Sequence, residues 1–471
     1  AAAVISMGLI SLPIMLRYGY NRTIATGTIT ASGTLAQAIP PSLVLIVLAD
    51  QLGRSVGDMY AGALVPGLLL VGLYLAFIAV VAIVKPDWVP ALPPEARIYR
   101  EDNGASGHKS LLALLAICGA AGWGWAQVHE SIMNPWMERT LPAPGDEVVI
   151  MSMTVASFLA LGLAMVNRVL KMGLLSKLAE RFTFVLIPPL VLIFLVLGTI
   201  FLGVATPTEG GAMGAVGALL MAMSRGQINR RLMNQALDST ARLSCFVLFI
   251  LIGSTVFSFT FNAADGHIWV EHLFDNMPGG AMGFLIVVNL LVFVLGMFID
   301  FFEIAFIVVP MLAPVAEKLL PELLPEGYPA DFALVWFGVI LAMNLQTSFL
   351  TPPFGFALFY LRSVAAKKDY KDRVTGEMIP AVETSQIYKG SIAFIVLQLI
   401  MVAVVIAYPT LVSGDGAQAT KIDADQALEQ MMGGDTPQAE PSMDGLEPAG
   451  AASEPDPMDA FKDMEKPAES K

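Results

Sequence analysis

Charged side chains are scarce here: 14% of the 471 residues, where soluble domains carry about 25%. With 56% hydrophobic residues and a mean hydropathy of +0.68, that scarcity excludes an ordinary soluble domain. Cysteine is nearly absent. Cys118 and Cys245 sit in separate apolar stretches and read as small buried hydrophobes, not a disulfide. The four histidines, His108, His129, His267 and His272, fall in connections near the surface. They form no H-E-x-x-H and no Cys/His cluster, which argues against a metal centre. No Walker A pattern occurs, so the chain does not hydrolyse ATP itself. No basic face stands out, which argues against a nucleic-acid partner. The net charge of −13 is mostly local: the 414–471 stretch holds 14 acids and 4 lysines.

What the sequence has in abundance is apolar runs. Met59 to Val84 and Phe182 to Val204 are each long enough to cross about 30 Å of hydrocarbon as a helix. Blocks without strand alternation favour an all-α polytopic membrane protein over a barrel. The spans are expected at Tyr60–Val84, Leu111–Gln127, Val148–Val166, Phe182–Val204, Thr208–Met223, Leu243–Phe261 and Ile392–Tyr408. Ala1–Leu16 reads as a short arm, and Gly283–Ile299 with Ile304–Val315 as two arms around a polar break. Thr23–Ala49 and Phe332–Leu361 read as long, interrupted spans. The chain begins at Ala1 inside an apolar stretch without signal-peptide features, so the expectation is a fragment lacking upstream membrane segments. The acidic 411–471 tail is too poor in apolar residues to order itself and is expected to be disordered.

Connections alternate between rich and poor in Lys and Arg. The rich set (17–22, 85–109, 168–181, 225–242, 362–389) holds twenty and the poor set three. The positive-inside rule places the rich set in the cytoplasm. The alternation then requires 283–315 to enter and leave on the outer side, as a re-entrant hairpin.

Two stretches match. Ser11-Leu-Pro-Ile-Met precedes ASGTLAQAIPPS (31–42), and Val309-Pro-Met-Leu precedes NLQTSFLTPPFG (344–355). Each is an apolar arm followed by a span broken by a small polar cluster and Pro-Pro. The charge pattern orients them oppositely, so they are candidate inverted repeats. Paired prolines remove helix donors and clash with the preceding turn, freeing carbonyls. In hydrocarbon that is tolerated where the backbone lines a cavity or meets an ion. Ordinary proline kinks are the plain alternative, but they give no reason for two matched breaks. Ser32, Gly33, Thr34 and Gln37, and Asn344, Gln346, Thr347, Ser348 and Thr351, supply neutral oxygens suited to Na⁺ and half-helix ends suited to a carboxylate. Asp300 and Glu303 sit between the 283–315 arms, where an ionisable residue is a functional candidate. Asp300 either helps hold a cation or caps the following arm. Glu209 reads as a helix-start carboxylate, and GWGW (122–125) as an interfacial aromatic pair.

SLPIMLRYGYN, ASGTLAQAIPPS, GVATPTEGGAMGAV, VLGMFIDFFEIAFIVVPMLAPV and NLQTSFLTPPFGFALFYLRS, in that order across about 1–410, resemble the large membrane subunit of tripartite ATP-independent periplasmic (TRAP) transporters. The resemblance implies an elevator-type secondary importer of the cell inner membrane, with inverted repeats, re-entrant hairpins and two broken helices. Its partners would be a small four-helix membrane subunit and a periplasmic substrate-binding protein. Its cargo would be small organic acids such as C4-dicarboxylates, with Na⁺ as coupling ion and no cofactor. The implied transport parts are 1–49 (an incomplete hairpin plus broken helix) and 283–362. Scaffold helices fill 50–282, with a two-span insertion at about 97–181, and 363–410 forms a cytoplasmic connection and last span. By motif, Na⁺ sites map onto Gly33, Thr34, Asp300, Thr347 and Thr351, and substrate contacts onto Ser32, Asn344 and Gln346. Alternative readings are a stand-alone Na⁺/carboxylate carrier and a non-transporting membrane scaffold. An intramembrane enzyme would need a nucleophile-and-base or metal-ligand set, and none is legible.

Overall fold

With no water to satisfy them, backbone N–H and C=O groups in hydrocarbon pair within helices, and the apolar blocks do so. The structure is a computed structural model, and it describes residues 2–93, 107–137, 139, 142–275, 278–372 and 374–412. The acidic tail and the start of the 97–181 insertion lie outside the described residues.

The chain opens with α1 (Ala2–Arg17), α2 (Arg22–Thr34), α3 (Leu43–Gln51) and α4 (Val56–Val84). Next come α5 (His108–Trp136), α6 (Gly145–Leu170), α7 (Lys177–Phe201), α8 (Pro207–Ser224), α9 (Arg230–Ala263) and α10 (Gly266–Asp275). Then α11 (Gly280–Gly296) is followed by α12 (Phe301–Glu303), which runs through a π turn at 304–308 into α13 (Val309–Leu319). The last helices are α14 (Phe332–Ser348), α15 (Phe356–Val364) and α16 (Thr384–Ala407). A two-residue hairpin pairs β1 (Tyr370–Lys371) with β2 (Met378–Ile379) before α16.

Seven helical runs among the described residues are long and apolar enough to cross a membrane: α4, α5, α6, α7, α9, the 301–323 run and α16. The Thr208–Met223 span is helical as α8 but shorter and more polar than these. Helix α9 extends well before Leu243, and α5 continues past Gln127 to Trp136.

One large core joins α1–α4 to α11–α16. Helix α14 is its axis: all 17 of its residues are buried, and Trp336 donates to the Val405 carbonyl at 2.9 Å. A separate small core of Leu114, Cys118, Ala160 and Ile187 holds α5, α6 and α7 together.

Three sequence expectations need correction. His129 is not near the surface but wholly buried inside α5. Trp125 Nε1 donates to its Nδ1 at 3.0 Å. An indole N–H only donates, so His129 Nε2 carries the ring proton and faces Glu147 Oε1 at 2.9 Å. Arg139, partly exposed in the connection after α5, donates to the other Glu147 oxygen at 2.8 Å, so the buried carboxylate of α6 is held by α5 on one side and by this connection on the other. Trp125 therefore turns inward, and of the aromatic pair Trp123 alone is exposed. Cys245, expected to be buried, is exposed on α9, while Cys118 is buried and both are free.

Candidate binding site at the two helix breaks

Each broken span stops at its polar cluster. Helix α2 ends at Thr34, a tight turn carries Leu35–Gln37, and α3 restarts at Leu43 under a cap from Ser42, whose Oγ accepts from Leu45 N at 3.3 Å. The Ser42 hydroxyl also donates to the Gln37 carbonyl, closing the break on itself. In the second span α14 ends at Ser348, and Phe349 N and Leu350 N fold back onto Gln346 and Thr347 carbonyls at 3.3 and 2.9 Å. Helix α15 restarts at Phe356 after Gly355. Pro40–Pro41 and Pro352–Pro353 are both cis, one at each break. Helix α14 touches the 35–37 turn as well as α3, so the second broken span packs against the first break.

Each break has an arm at its shoulder. Helix α1 packs along α2, closely enough at Gly33 that an added Cβ would meet the Val4 side chain and lie 3.2 Å from Val4 N. In the second half, a Cβ at Gly296 of α11 would lie 2.9 Å from Ser348 Cβ. The Phe301 ring sits 5.7 Å from that of Phe349. The α11–α12 tip is thereby placed against the end of α14. Asp300 takes the capping role: its Oδ1 accepts from Phe301 N at 2.8 Å, and Glu303 Oε2 accepts from Asp300 N at 3.1 Å.

The polar side chains fall into two kinds. The hydroxyls spend their protons locally. Ser32 donates to Thr28 O (2.6 Å), Thr34 to Ala31 O (2.9 Å), Thr347 to Asn344 O (2.7 Å) and Thr351 to Thr347 O (2.6 Å). A hydroxyl whose proton is so engaged turns its oxygen lone pairs outward, as an acceptor or cation ligand. The amides are different. Asn344 Nδ2 donates to Asn289 O at 2.7 Å and to Asn289 Oδ1 at 3.0 Å, but its own Oδ1 is buried without a partner. Gln346 is wholly buried with both amide atoms unpartnered, and Gln37 Oε1 is likewise orphaned. A buried polar group left unpaired costs about 1–3 kcal/mol, and three amides with such atoms fall at the two breaks.

Sequence reasoning missed the supports. Asn289 stands alone in an apolar helix, yet it fixes the Asn344 amide. Gln398 of α16 donates to the Met343 carbonyl, and Tyr74 of α4 donates to Gln398, both at 2.7 Å and all buried. That relay ties α4 and α16 to the residue preceding Asn344. On the first repeat, Gly27 and Gly390 let α2 and α16 cross at backbone contact. At the far end of α1, Arg17 grips Asp372 with two bonds of 3.0 and 2.9 Å. That grip, with amide bonds from Val374 and Thr375, holds the Asp372 carboxyl well below its ordinary range.

Comparison with known proteins gives this geometry a family. The profile of the "Tripartite ATP-independent periplasmic transporter, DctM component" matches residues 1–411. The chain is 24% identical over 365 residues to the C4-dicarboxylate TRAP transporter large permease protein DctM of Pseudomonas aeruginosa, covering 77% of this chain and 64% of that protein. It is 25% identical over 429 residues to DctM of Rhodobacter capsulatus, covering 87% and 74%. It is 23% identical over 287 residues to the sialic acid TRAP transporter permease protein SiaT of Haemophilus influenzae, covering 60% and 41%. The chain thus spans from under half to about three quarters of the length of these relatives. A match over nearly the whole helical region makes this multi-pass membrane protein a member of the DctM family, the large permease component of TRAP transporters, which are transporters and not enzymes.

Proposed function

We propose that this chain imports small organic acids across the inner membrane by coupling them to Na⁺. In this reading it works with a small four-helix membrane subunit and receives substrate from a periplasmic binding protein. The observation that carries it is the set of orphaned amide atoms of Gln37, Asn344 and Gln346 at the two breaks. Of these atoms the Gln346 Nε2 donor, with the half-helix ends, meets a carboxylate, while the orphaned amide oxygens join the hydroxyl and carbonyl oxygens without fixed charge as acceptors for Na⁺ or for a donor group of the substrate. Gly33 and Thr34 serve one cation site and Asp300, Thr347 and Thr351 the other, with Ser32, Asn344 and Gln346 toward substrate. Carboxylates are the cargo class because the relatives include permeases named for C4-dicarboxylates and sialic acid. The segments 1–49 and 283–362 carry both sites and move as the transport body.

Thermal unfolding of the purified chain tests the cation sites without a substrate. A ligand that binds the folded state raises its stability by mass action. NaCl is expected to raise the melting temperature over equal choline chloride, and Thr34→Ala with Thr347→Ala to remove the difference. Equal melting in both salts would remove Na⁺ from the account.

A further inference from the structure

A groove away from the breaks has the make-up of a lipid site. Gly27 and Gly390 bring α2 and α16 into backbone contact, and a gap lies between that pair and one end of α4. The gap is an open cavity of about 360 Å³ whose lining includes Phe77, Val81, Val84, Lys85, Trp88 and Lys389. Its inner limit is where α4 and α16 rejoin: the Phe77 and Phe394 rings meet edge to face at 5.3 Å. Apolar side chains dominate the walls, and no acidic residue lines it.

The charged rim is built. Helix α4 ends at Lys85, whose N–H caps onto Val81 O at 2.8 Å, and a tight turn of Pro86–Trp88 follows. Trp88 O accepts from Asn21 N at 2.9 Å, which ties this turn to the loop before α2. The Lys85 ammonium stands 3.9 Å from the centre of the Trp88 ring. Lys389, one residue before Gly390, closes the opposite side. Neither lysine has a carboxylate partner among the described residues. Lys85, Lys389 and the loop before α2 all belong to the Lys- and Arg-rich connections that the charge pattern places in the cytoplasm. Two unpaired cations and an indole above an apolar slot suit a negatively charged headgroup whose acyl chain lies along the slot. A free anion has no use for the apolar walls.

We infer that the groove between α4, α2 and α16 binds an anionic phospholipid of the cytoplasmic leaflet, with its phosphate between Lys85 and Lys389. The test uses the full chain in detergent micelles, scored by native mass spectrometry after incubation with dioleoylphosphatidylglycerol or dioleoylphosphatidylcholine. Phosphatidylglycerol should be retained in preference. Lys85→Gln with Lys389→Gln should weaken that retention roughly thirtyfold, at about one kcal/mol for each lysine. Val81→Trp, which fills the slot and keeps both charges, should also displace the lipid. Lys367→Gln with Lys368→Gln, exposed residues outside the groove, should leave it unchanged. Size-exclusion profiles identical to wild type identify the variants as folded. Equal retention of the two lipids, or undiminished retention in the Lys85/Lys389 variant, overturns the proposal. Displacement of the lipid by millimolar inorganic phosphate alone would mark a free-anion site and overturn it as well.

Discussion

The close crossing of α2 and α16 allows a sharp contrast between two glycines. At Gly390 an added Cβ would press on the Thr23 carbonyl oxygen and lie 2.8 Å from Gly27 N and 3.0 Å from Thr26 Oγ1. The two nearest atoms are backbone and have no rotamer to give. Ordinary contact begins near 3.4 Å, so the helices must separate by at least about 0.6 Å at Gly27 N alone. Overpacking of this kind costs about 1–3 kcal/mol, and the upper end applies because the two nearest atoms are backbone. Replacing glycine by alanine in a helix returns about 1 kcal/mol. Gly390→Ala should therefore lose about 2 kcal/mol. Gly72 of α4 has nothing within 4 Å of the same atom, so Gly72→Ala should be neutral or gain up to about 1 kcal/mol. The assay is the temperature at which the purified protein loses its monodisperse peak in detergent. Gly390→Ala is expected to melt several degrees below wild type and Gly72→Ala at or above it. Because α16 positions the helix that ends at Thr34, Gly390→Ala should also lower uptake while Gly72→Ala preserves it. If Gly390→Ala melted as high as Gly72→Ala, the packing argument would fail.

Four further outcomes are expected. Gln346→Leu removes two orphaned buried atoms, so it should melt at or above wild type, by up to about 3 kcal/mol, while uptake falls at least tenfold; a destabilised but active variant would contradict the site. Thr347→Ala and Asp300→Ala should raise the Na⁺ concentration needed for half-maximal uptake, and Asp300→Asn, which keeps a good helix cap, should show the same Na⁺ defect without the cap loss of about 1 kcal/mol. Gln398→Ala should cost about 1–3 kcal/mol for each partner left unpaired, and Tyr74→Phe in the same chain should add less than it costs alone, as measured by a double-mutant cycle of melting temperatures. Arg17 and two backbone amides hold the Asp372 carboxyl below its ordinary value of 3.8, so the latch contributes fully above that value and is lost as pH falls beneath it; protease cleavage within 365–383 should rise at acid pH, and Asp372→Asn should abolish that dependence.

Much of this architecture is legible in the sequence because membranes impose it. Apolar blocks without strand alternation become helices, which satisfy the backbone within one segment, and α4, α7 and α16 fall close to where hydropathy places them. The breaks are legible for a subtler reason. Another Pro-Pro pair, Pro188–Pro189, lies inside α7, yet that helix is continuous. There the flanking residues are Ile187 and Leu190, which offer no polar alternative to the helix. At 40–41 and 352–353 the prolines are flanked by Ser, Thr, Asn and Gln residues, some of which recapture freed backbone groups, as Ser42 does for Gln37 O. The polar cluster beside the prolines, more than the prolines, carries the signal. What stayed hidden are lone polar residues in apolar blocks. Tyr74 finds Gln398 across 324 positions, and no spacing rule announces that pairing. His129 and Glu147 looked like loop residues because α5 continues past its apolar block, and their buried pairing needed the hairpin to be seen.

The central claim is Na⁺-driven uptake through the two breaks. It is tested most directly by following labelled C4-dicarboxylates and sialic acid into proteoliposomes that hold the permease together with the proposed small membrane subunit. Each acid is assayed with and without an inward Na⁺ gradient, and with and without the cognate binding protein. The account predicts uptake of at least one acid that requires both, and its loss in Gln346→Leu. Uptake that ignores the Na⁺ gradient, or survives intact in Gln346→Leu, would contradict it.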